Sequence, residues 1–335
     1  MTVAAVIPHW NRVDLLRALI ANLKGQIRPF ERIIVVDNGS IDGSAAEGRR
    51  LGAEVVALPR NVGFAGAVNR GIEAAAGSDW VAVLNNDVTL EPDWLERLLK
   101  AADRPGICFA TGKILSAQDH SRIDGCFDEV SRGATAWRCG AGRPDGPVWN
   151  RPREIRIAPM TAALFRRSLF EEIGLLDEQF VSYLEDVEFG LRCAVAGRGG
   201  VYVPEAVAYH EGSATLGRWN KDTVRLLARN QVLLAAKHFQ RLPRWPLVAG
   251  QLLWGLVAIR HGRALSYLRG KAQGLRLARQ VHEQKSCNAA CNTDDPRSIA
   301  RLTEIVAESE RTIFELQRET GFDGYWRAYF WLSRR

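Results

Sequence analysis

Residues 80–87 read Trp80-Val-Ala-Val-Leu84, followed at once by Asn85-Asn86-Asp87. An unbroken apolar run of this length is typical of a strand buried on both faces of a parallel sheet. Polar residues directly after such a run predict a turn at the carboxyl end of the strand. The stretch therefore predicts a buried strand that delivers two amides and one carboxylate to one edge of a sheet.

Three similar apolar runs lie upstream of this strand. They predict strands at Val3–Ile7, Arg32–Val36 and Glu54–Ala57. Between the first two runs, leucine and isoleucine recur at helical spacing from Leu15 to Leu23, and we expect Asn11 to cap that helix. The Ala- and Gly-rich residues 64–76 predict a second helix. Strands that alternate with helices indicate an α/β fold with a doubly wound, mostly parallel sheet.

Polar residues end the first, second and fourth predicted strands. They lie at Pro8–Asn11, Asp37–Ser40 and Asn85–Asp87. In doubly wound sheets ligands bind beyond the carboxyl ends of the strands, so these residues are expected to line one crevice. The alternative is that Asp and Asn only form turns there. Polar residues at the ends of three strands favour the crevice over this alternative.

Neither of the common phosphate-binding glycine patterns follows the first strand. Asn61-Val-Gly-Phe-Ala-Gly66 follows the third strand instead. Its glycines, Gly63 included, would allow close approach of a ligand to the backbone.

The composition is that of a globular protein. Of 335 residues, 47% are hydrophobic and 25% are charged, which excludes wholesale disorder, a collagen-like chain and a multi-span membrane protein. Six cysteines are too few for a disulfide scaffold. The first strand begins at once after Met1-Thr2, without a basic leader, so we expect a cytoplasmic protein with reduced thiols.

The net charge of +7 is concentrated in residues 218–285, which hold 14 Lys or Arg and two Asp or Glu. This segment contains the apolar run 247–259, which is shorter than the roughly 20 residues that span a bilayer. A basic, Trp-bearing apolar helix is typical of the membrane interface, and we expect peripheral contact with the inner face of the cell membrane. The alternative is a helix packed on the main domain with a solvated basic rim. A nucleic-acid partner is not expected, because no reader motif accompanies the charge.

The motifs taken together resemble the inverting family 2 glycosyltransferases. The matching stretches, in the family's order, are 6–12, 35–44, 61–71, 84–88, 180–192 and Val203 to His210. The resemblance covers about residues 2–240 and is greatest to the rhamnosyltransferase-like branch of cell-surface polysaccharide synthesis. It implies a GT-A fold over residues 1–240, followed by a helical, basic and amphipathic region over 241–335.

The resemblance also assigns roles in binding a nucleotide-diphosphate sugar. Asp37 matches the residue that accepts a hydrogen bond from the pyrimidine N3–H. The other matching or neighbouring positions for nucleotide-sugar binding are Pro8, Asn11, Asn61, Gly63, Asn85, Asn86, Arg225 and Arg229. Asp87 and His210 match metal ligands, for which Mg²⁺ or Mn²⁺ is expected. Asn85 replaces the first acidic residue of the family's D-x-D pattern, which removes one negative charge from the metal site.

Glu185-Asp186 matches the catalytic acidic pair, in which the aspartate is the general base. The implied reaction is metal-dependent and inverting: a hydroxyl of a glycan or polyprenyl-diphosphate-linked acceptor loses its proton as it attacks the sugar. The resemblance makes L-rhamnose from dTDP-rhamnose the plausible sugar. Two alternatives are a catalytically degenerate sugar-nucleotide-binding scaffold subunit and a nucleotidyltransferase.

Overall fold

The computed structural model describes residues 1–212, 219–284 and 295–333. The chain folds as two compact units. The first comprises Met1–Phe127 and Gly140–Gly212, and the second comprises Asp128–Cys139 with the described residues from Trp219 onward. The units thus divide near Gly212, whereas the sequence places the boundary at residue 240. The polar stretch 287–294 lies outside the described residues.

Ten strands within residues 3–210 form one mixed sheet, and a separate hairpin belongs to the second unit. In chain order the strands are β1 (Val3–His9), β2 (Arg32–Asp37), β3 (Glu54–Ala57), β4 (Trp80–Leu84), β5 (Val88–Leu90), β6 (Ile107–Ser116), β7 (Ile123–Gly125), β8 (Asp128–Val130), β9 (Ala136–Arg138), β10 (Arg153–Ile155), β11 (Ala162–Arg166) and β12 (Gly199–His210). The four strands predicted from the apolar runs are confirmed.

The order across the sheet is β10-β12-β6-β11-β4-β1-β2-β3. β4, β1, β2 and β3 run parallel, with Pro8 opposite Val36 and His9 opposite Asp37. β11 runs antiparallel to both β4 and β6, while β12 runs parallel to β6. The carboxyl ends of β1, β2, β4, β6 and β12 therefore lie along one edge. This arrangement confirms the expected α/β class with a mostly parallel sheet.

Helices of the first unit cover the sheet. They are α1 (Val13–Lys24), α2 (Ser44–Arg50), α3 (Gly63–Ala74), α4 (Trp94–Ala102), α5 (Arg167–Ile173) and α6 (Glu185–Val195). The apolar stripe of α1 from Leu15 to Leu23 is buried in the same core as Ile7 and Val35, as its spacing predicts. The prediction that Asn11 caps α1 is wrong: Arg12 precedes the helix with a φ of 59°, and Asn11 Oδ1 accepts a hydrogen bond from the Ile41 N–H at 3.1 Å.

The second unit is helical apart from the β8–β9 hairpin. Its helices are α7 (Lys221–His238), α8 (Arg244–Arg260), α9 (Ala264–Gln284), α10 (Pro296–Thr320) and α11 (Gly324–Ser333). α9 packs closely on α7, because a Cβ on Gly270 would lie 2.2 Å from the carbonyl oxygen of Arg225. Glu310 of α10 pairs with Arg132 of the hairpin at 2.7 Å. None of the helices in the described ranges has the length and apolarity needed to cross a bilayer.

Candidate active site

Asp87 and His210 meet at the carboxyl edge of the sheet. β5 pairs antiparallel with the end of β12, so that Val88 lies opposite His210, and the Glu211 N–H donates to the Asp87 carbonyl at 3.0 Å. His210 Nε2 lies 3.2 Å from Asp87 Oδ1. Two residues that are distant in the sequence are thus brought into direct contact, as the family resemblance implies.

A third residue, Asp124, orients this histidine. Its Oδ2 lies 2.8 Å from His210 Nδ1, which makes Nδ1–H the donor and leaves Nε2 directed at Asp87. Burial alone would lower the pKa of His210, but the hydrogen bonds to Asp124 and Asp87 raise it to about 9. The sequence does not single out Asp124, because the residues around this strand, β7, match none of the family motifs.

The donor atoms at this position fit a hard divalent cation. Carboxylate oxygen and imidazole nitrogen are ligands that Mn²⁺ and Mg²⁺ accept, and a carboxylate on the far ring nitrogen is the usual support of a metal-binding histidine. Asn85 Oδ1, two residues before Asp87, is buried without a hydrogen-bond partner among the described residues. No cluster of three or more His, Cys, Asp or Glu side chains suited to a metal occurs within those residues. Asp87 and His210 are the two side chains that would hold a cation here.

Asp37 is buried at the end of β2, beside the end of β1. Its Oδ1 accepts a hydrogen bond from the Ser40 N–H at 3.0 Å, and Ser40 Oγ accepts one from the Asn11 N–H at 2.8 Å. Asn11 and Arg12 both have positive φ angles, which are uncommon outside glycine. The ends of the two strands are therefore held together as one rigid rim around Asp37.

Asn38 connects this rim to the loop before α3. Its Nδ2 donates to Asn61 Oδ1 and to the Gly63 carbonyl, both at 3.1 Å. Gly63 has a φ of +87°, and a Cβ there would lie 2.6 Å from the Val181 side chain and carbonyl oxygen. In the structure Gly63 makes its close backbone approach to Val181. The expected contacts of Asn61 and Gly63 with a nucleotide stay predictions.

The segment before the acidic pair is strained. Val181, Tyr183 and Leu184 all have φ between 62° and 73°, a region that branched and bulky residues rarely enter. The Val181 carbonyl accepts a hydrogen bond from the Ala65 N–H at 3.0 Å, which ties the segment to α3. Sequence propensity gives no sign of this strain, because none of the three residues is a glycine or an asparagine.

Glu185 and Asp186 follow directly and open α6. Both are buried, and Asp186 Oδ1 accepts a hydrogen bond from the Val187 N–H at 2.9 Å. The amino end of a helix carries partial positive charge, which stabilises carboxylates at this place. The strained backbone and the helix end together position two carboxylates on a rigid support.

Arg225 and Arg229 lie on α7, in the second unit. Arg225 pairs with Asp222 at 3.0 Å and bonds Gln273, while the Arg229 Nε–H donates to Asn230 Oδ1 at 2.9 Å. Their expected contact with a diphosphate stays a prediction.

Residues 4–174 match the sequence profile of Glycosyl transferase family 2. The chain belongs to this family. The N-acetylglucosaminyl-diphospho-decaprenol L-rhamnosyltransferase of Mycobacterium tuberculosis (strain H37Rv) is 32% identical over 249 residues, which cover 64% of this chain and 79% of that protein. Family membership makes the chain a glycosyltransferase, which favours sugar transfer over the two alternatives, a nucleotidyltransferase and a degenerate scaffold subunit.

Two solved structures share the fold of this family 2 glycosyltransferase. A mannosyltransferase from Pyrobaculum calidifontis in complex with GDP-Man and Mn²⁺ has a TM-score of 0.53 at 17% identity, covering 92% of this chain and 86% of that one. GalNAc-T7 with UDP, GalNAc and Mn²⁺ has a TM-score of 0.62 at 15% identity, covering 96% of this chain and 58% of that one. The fold of the glycosyltransferase is thus GT-A, as expected.

Proposed function

We propose that the protein is an inverting, metal-dependent glycosyltransferase that uses a nucleotide-diphosphate sugar. The observation that carries the proposal is the contact between Asp87 and His210 at the sheet edge where β2 ends at Asp37. A chain of contacts through Asn38 and Gly63 leads from Asp37 to the segment before Asp186. These groups are suited to hold a nucleotide, its diphosphate and a general base in one site.

The chain's own residues divide the chemistry among them. Asp37 receives the pyrimidine N3–H. Asp87 and His210 would hold a cation, which when bound would neutralise charge on the departing diphosphate. Asp186 accepts the proton of the acceptor hydroxyl as its oxygen bonds to the anomeric carbon. The bond from that carbon to the diphosphate breaks, and the nucleoside diphosphate leaves on the opposite face, so the anomeric configuration inverts. Both carboxylates lie in the first turn of α6, where the partial positive charge of the helix amino end is favourable to negative charge.

The donor is proposed to be dTDP-L-rhamnose and the acceptor a glycan on a polyprenyl diphosphate. The mycobacterial relative, an N-acetylglucosaminyl-diphospho-decaprenol L-rhamnosyltransferase, supports rhamnose as the sugar and a polyprenyl-diphosphate-linked acceptor. The test is transfer from a panel of UDP-, GDP- and dTDP-sugars, each with Mn²⁺, Mg²⁺ or a chelator. Turnover only with UDP- or GDP-sugars would overturn the rhamnose assignment, and unchanged turnover in the chelator would overturn metal dependence.

We further propose that the second unit binds the inner face of the membrane. α8 and α9 carry large apolar side chains that are 45–70% exposed. This α8–α9 apolar face consists of Trp245, Val248, Leu252, Leu256, Ile259, Leu265, Leu268 and Leu275. Exposed arginines accompany it at 241, 244, 260, 269, 276 and 279. Apolar contact with cations around it is the chemistry of an anionic lipid surface.

Helix geometry places both apolar stripes on one side. α8 and α9 touch through Gly255 and Tyr267, and the Tyr267 hydroxyl donates to the Gln251 carbonyl at 2.6 Å. Successive residues lie about 100° apart around a helix. On each of the two helices the exposed stripe therefore lies about 100° from the residues that contact the other helix, rotated toward higher residue numbers. Because the short link 261–263 makes the helices antiparallel, these two rotations turn the stripes toward the same side.

Sedimentation with lipid vesicles tests this surface. The full chain is expected to bind vesicles of phosphatidylglycerol and phosphatidylcholine, and phosphatidylcholine alone far less. The double change Leu252→Glu and Leu256→Glu should weaken binding by at least about tenfold, because the protein loses two leucine side chains that would be buried in the lipid. Ile27→Glu, an exposed apolar residue of the first unit, is the matched control. Equal binding by the double variant and the control would overturn the proposal.

A further inference from the structure

His9 is buried at the end of β1 and bonds through both ring nitrogens. Its Nδ1 lies 2.9 Å from Asn86 Nδ2, and its Nε2 lies 2.8 Å from Ser44 Oγ. Ser44 Oγ lies in turn 2.5 Å from Asp42 Oδ1. Four side chains from three segments are thus connected in one line. His9 lies in the matching stretch 6–12, but neither the resemblance nor the proposed chemistry gives it a role.

The direction of this line is decided at both ends. An amide nitrogen only donates, so Asn86 Nδ2 donates to an unprotonated His9 Nδ1. At the other end a carboxylate only accepts, so the Ser44 hydroxyl proton points to Asp42. Ser44 Oγ must therefore accept its other hydrogen bond, and His9 Nε2–H is the donor. The ring is neutral and carries its proton on Nε2.

If every hydrogen bond in this line ran in the opposite direction, the contact between Ser44 and Asp42 would have no proton. If the Asn86 amide were turned so that its oxygen faced a protonated Nδ1, a neutral ring would accept the Ser44 proton at Nε2. The Ser44 and Asp42 oxygens would then approach to 2.5 Å with no hydrogen between them. Burial also lowers the pKa of His9 against the opposing effects of Asp37, Asp42 and Asp14, in the direction that favours the neutral ring.

The line joins the two halves of the donor site. Asp42 Oδ2 accepts the Val13 N–H at 3.0 Å, and Asp42 and Ser44 follow the loop that carries Asp37. At the other end, Asn86 is the middle residue of the turn between Asn85 and Asp87. The backbone of this turn is already held on both sides, by Asn85 N–H to the Thr161 carbonyl at 2.9 Å and by the Asp87 carbonyl.

We propose that His9 is a positioning residue for donor binding: as a neutral Nε2–H imidazole it fixes the Asn85–Asn86–Asp87 turn against the Asp37–Ser44 loop. It sets the separation between the groups that receive the base and those that receive the diphosphate. This inference rests on the proposed function for the identity of the ligand, while the hydrogen-bond line itself stands on geometry alone. Because both ring nitrogens of His9 bond protein groups, its role is to act through Asn86 and Ser44 and not on the ligand itself.

Three substitutions separate the two hydrogen bonds of the ring. His9→Asn retains an acceptor on Cγ, where Nδ1 is attached in histidine, and loses the N–H that donates to Ser44. His9→Gln retains a donor one atom further out, near Nε2, and loses the acceptor for Asn86. His9→Phe fills the space without either bond. The first two differ by one methylene and both remove the ring, so their thermal unfolding midpoints provide the folding control.

The readout is calorimetric binding of dTDP and of UDP to the full chain in Mn²⁺. His9→Asn is expected to bind within about threefold of wild type, whereas His9→Gln and His9→Phe bind about tenfold more weakly, the effect of leaving one buried polar group unpaired. KM for the donor should rise by the same factors, with kcat less affected. Equal affinities for His9→Asn and His9→Gln, at equal thermal stability, would overturn the proposal.

Imidazole nitrogen NMR provides a second test that needs no ligand. The His9 ring, assigned by its loss in His9→Phe, should show an unprotonated Nδ1 and a protonated Nε2 at pH 8. A protonated Nδ1 would overturn the line of hydrogen bonds. If the wild type shows this tautomer but binds neither nucleotide, the proposed donor chemistry fails and the positioning role in donor binding fails with it. If it binds nucleotide with the opposite tautomer, only the inference about His9 fails.

Discussion

His210 Nε2 lies 3.2 Å from Asp87 Oδ1, and the opposite ring nitrogen of His210 bonds Asp124 Oδ2 at 2.8 Å. The histidine is therefore oriented by one carboxylate toward another. Asp87 ends the turn before β5, whereas His210 ends β12, so the contact depends on the antiparallel pairing of those strands. A cation bound there would take the place of the proton that Nε2 shares with Asp87.

Replacing Asp124 by Asn should weaken Mn²⁺ binding by about 10–100-fold, the usual cost of losing the carboxylate behind a metal-binding histidine. The amide can still occupy the space, so the fold should be retained. Titration of Mn²⁺ by electron paramagnetic resonance measures the change without turnover. Asp119→Asn, which alters an exposed aspartate paired with Arg122 in the same region, is the matched control. Equal Mn²⁺ affinity in the two variants would contradict the orienting role of Asp124.

Asp186→Asn should lower the transfer rate by about 10²–10⁴-fold, because an amide cannot take the proton of the acceptor hydroxyl. Binding of dTDP or UDP should change by less than about twofold, since the substitution keeps the shape of the side chain at the start of α6. Steady-state transfer and calorimetry on the same preparation separate the two effects. Asp103→Asn, at an exposed aspartate after α4, should leave both unaltered. Substantial turnover in Asp186→Asn would remove this residue from the role of general base.

Much of the first unit can be predicted from the sequence because its strands are continuous apolar runs. Periodicity alone places β1, β2, β3 and β4, and polar residues at their ends predict which edge carries the site. The hairpin of residues 128–139 is different. It belongs with the second unit because Arg132 bonds Glu310 and Gly133 bonds Tyr329. These partners lie 178 and 196 positions apart in the chain, so their contacts leave no local sequence pattern.

The candidate site shows the same division. Asp37, Asp87, Asp186 and His210 stand in stretches that resemble family motifs, so the sequence alone singles them out. Asp124 stands in no such stretch, and His9 lies in the matching stretch 6–12 without an assigned role, since each acts through a partner that lies 86 or 77 residues away in the chain. The positive φ at Val181 is equally hidden, because local preference for a β-branched residue predicts the opposite conformation.

Gly63→Ala tests the packing that supports this strained segment. The new Cβ would lie 2.6 Å from Val181 and would also sit at a φ of +87°, so both a clash and backbone strain are introduced. We expect a loss of about 2–4 kcal/mol in the free energy of unfolding. Gly77→Ala is the control, because Gly77 has a φ of +85° with nothing within 4 Å of a Cβ and suffers the strain alone, about 1 kcal/mol. Similar losses in the two variants, measured by urea denaturation, would show that Val181 yields to the methyl group.

Because Lys271 is buried, we expect the stability of the second unit to depend on pH. Its ammonium group donates to Gln231 at 2.9 Å and to Gln251, and burial lowers its pKa from 10.5 to about 7. Between these two values the unfolded chain holds the proton and the folded chain does not, so this group makes the free energy of unfolding rise as pH increases from 7 toward 10.5. Lys271→Met should flatten that rise by about 1–3 kcal/mol, as one pKa unit corresponds to about 1.4 kcal/mol and the side chain keeps some contact with water. Urea denaturation from pH 6 to 9.5 measures the slope, with Lys100→Met, at an exposed lysine of α4, as the control. Parallel pH profiles for wild type and Lys271→Met would mean that Lys271 is charged in the folded protein across this range.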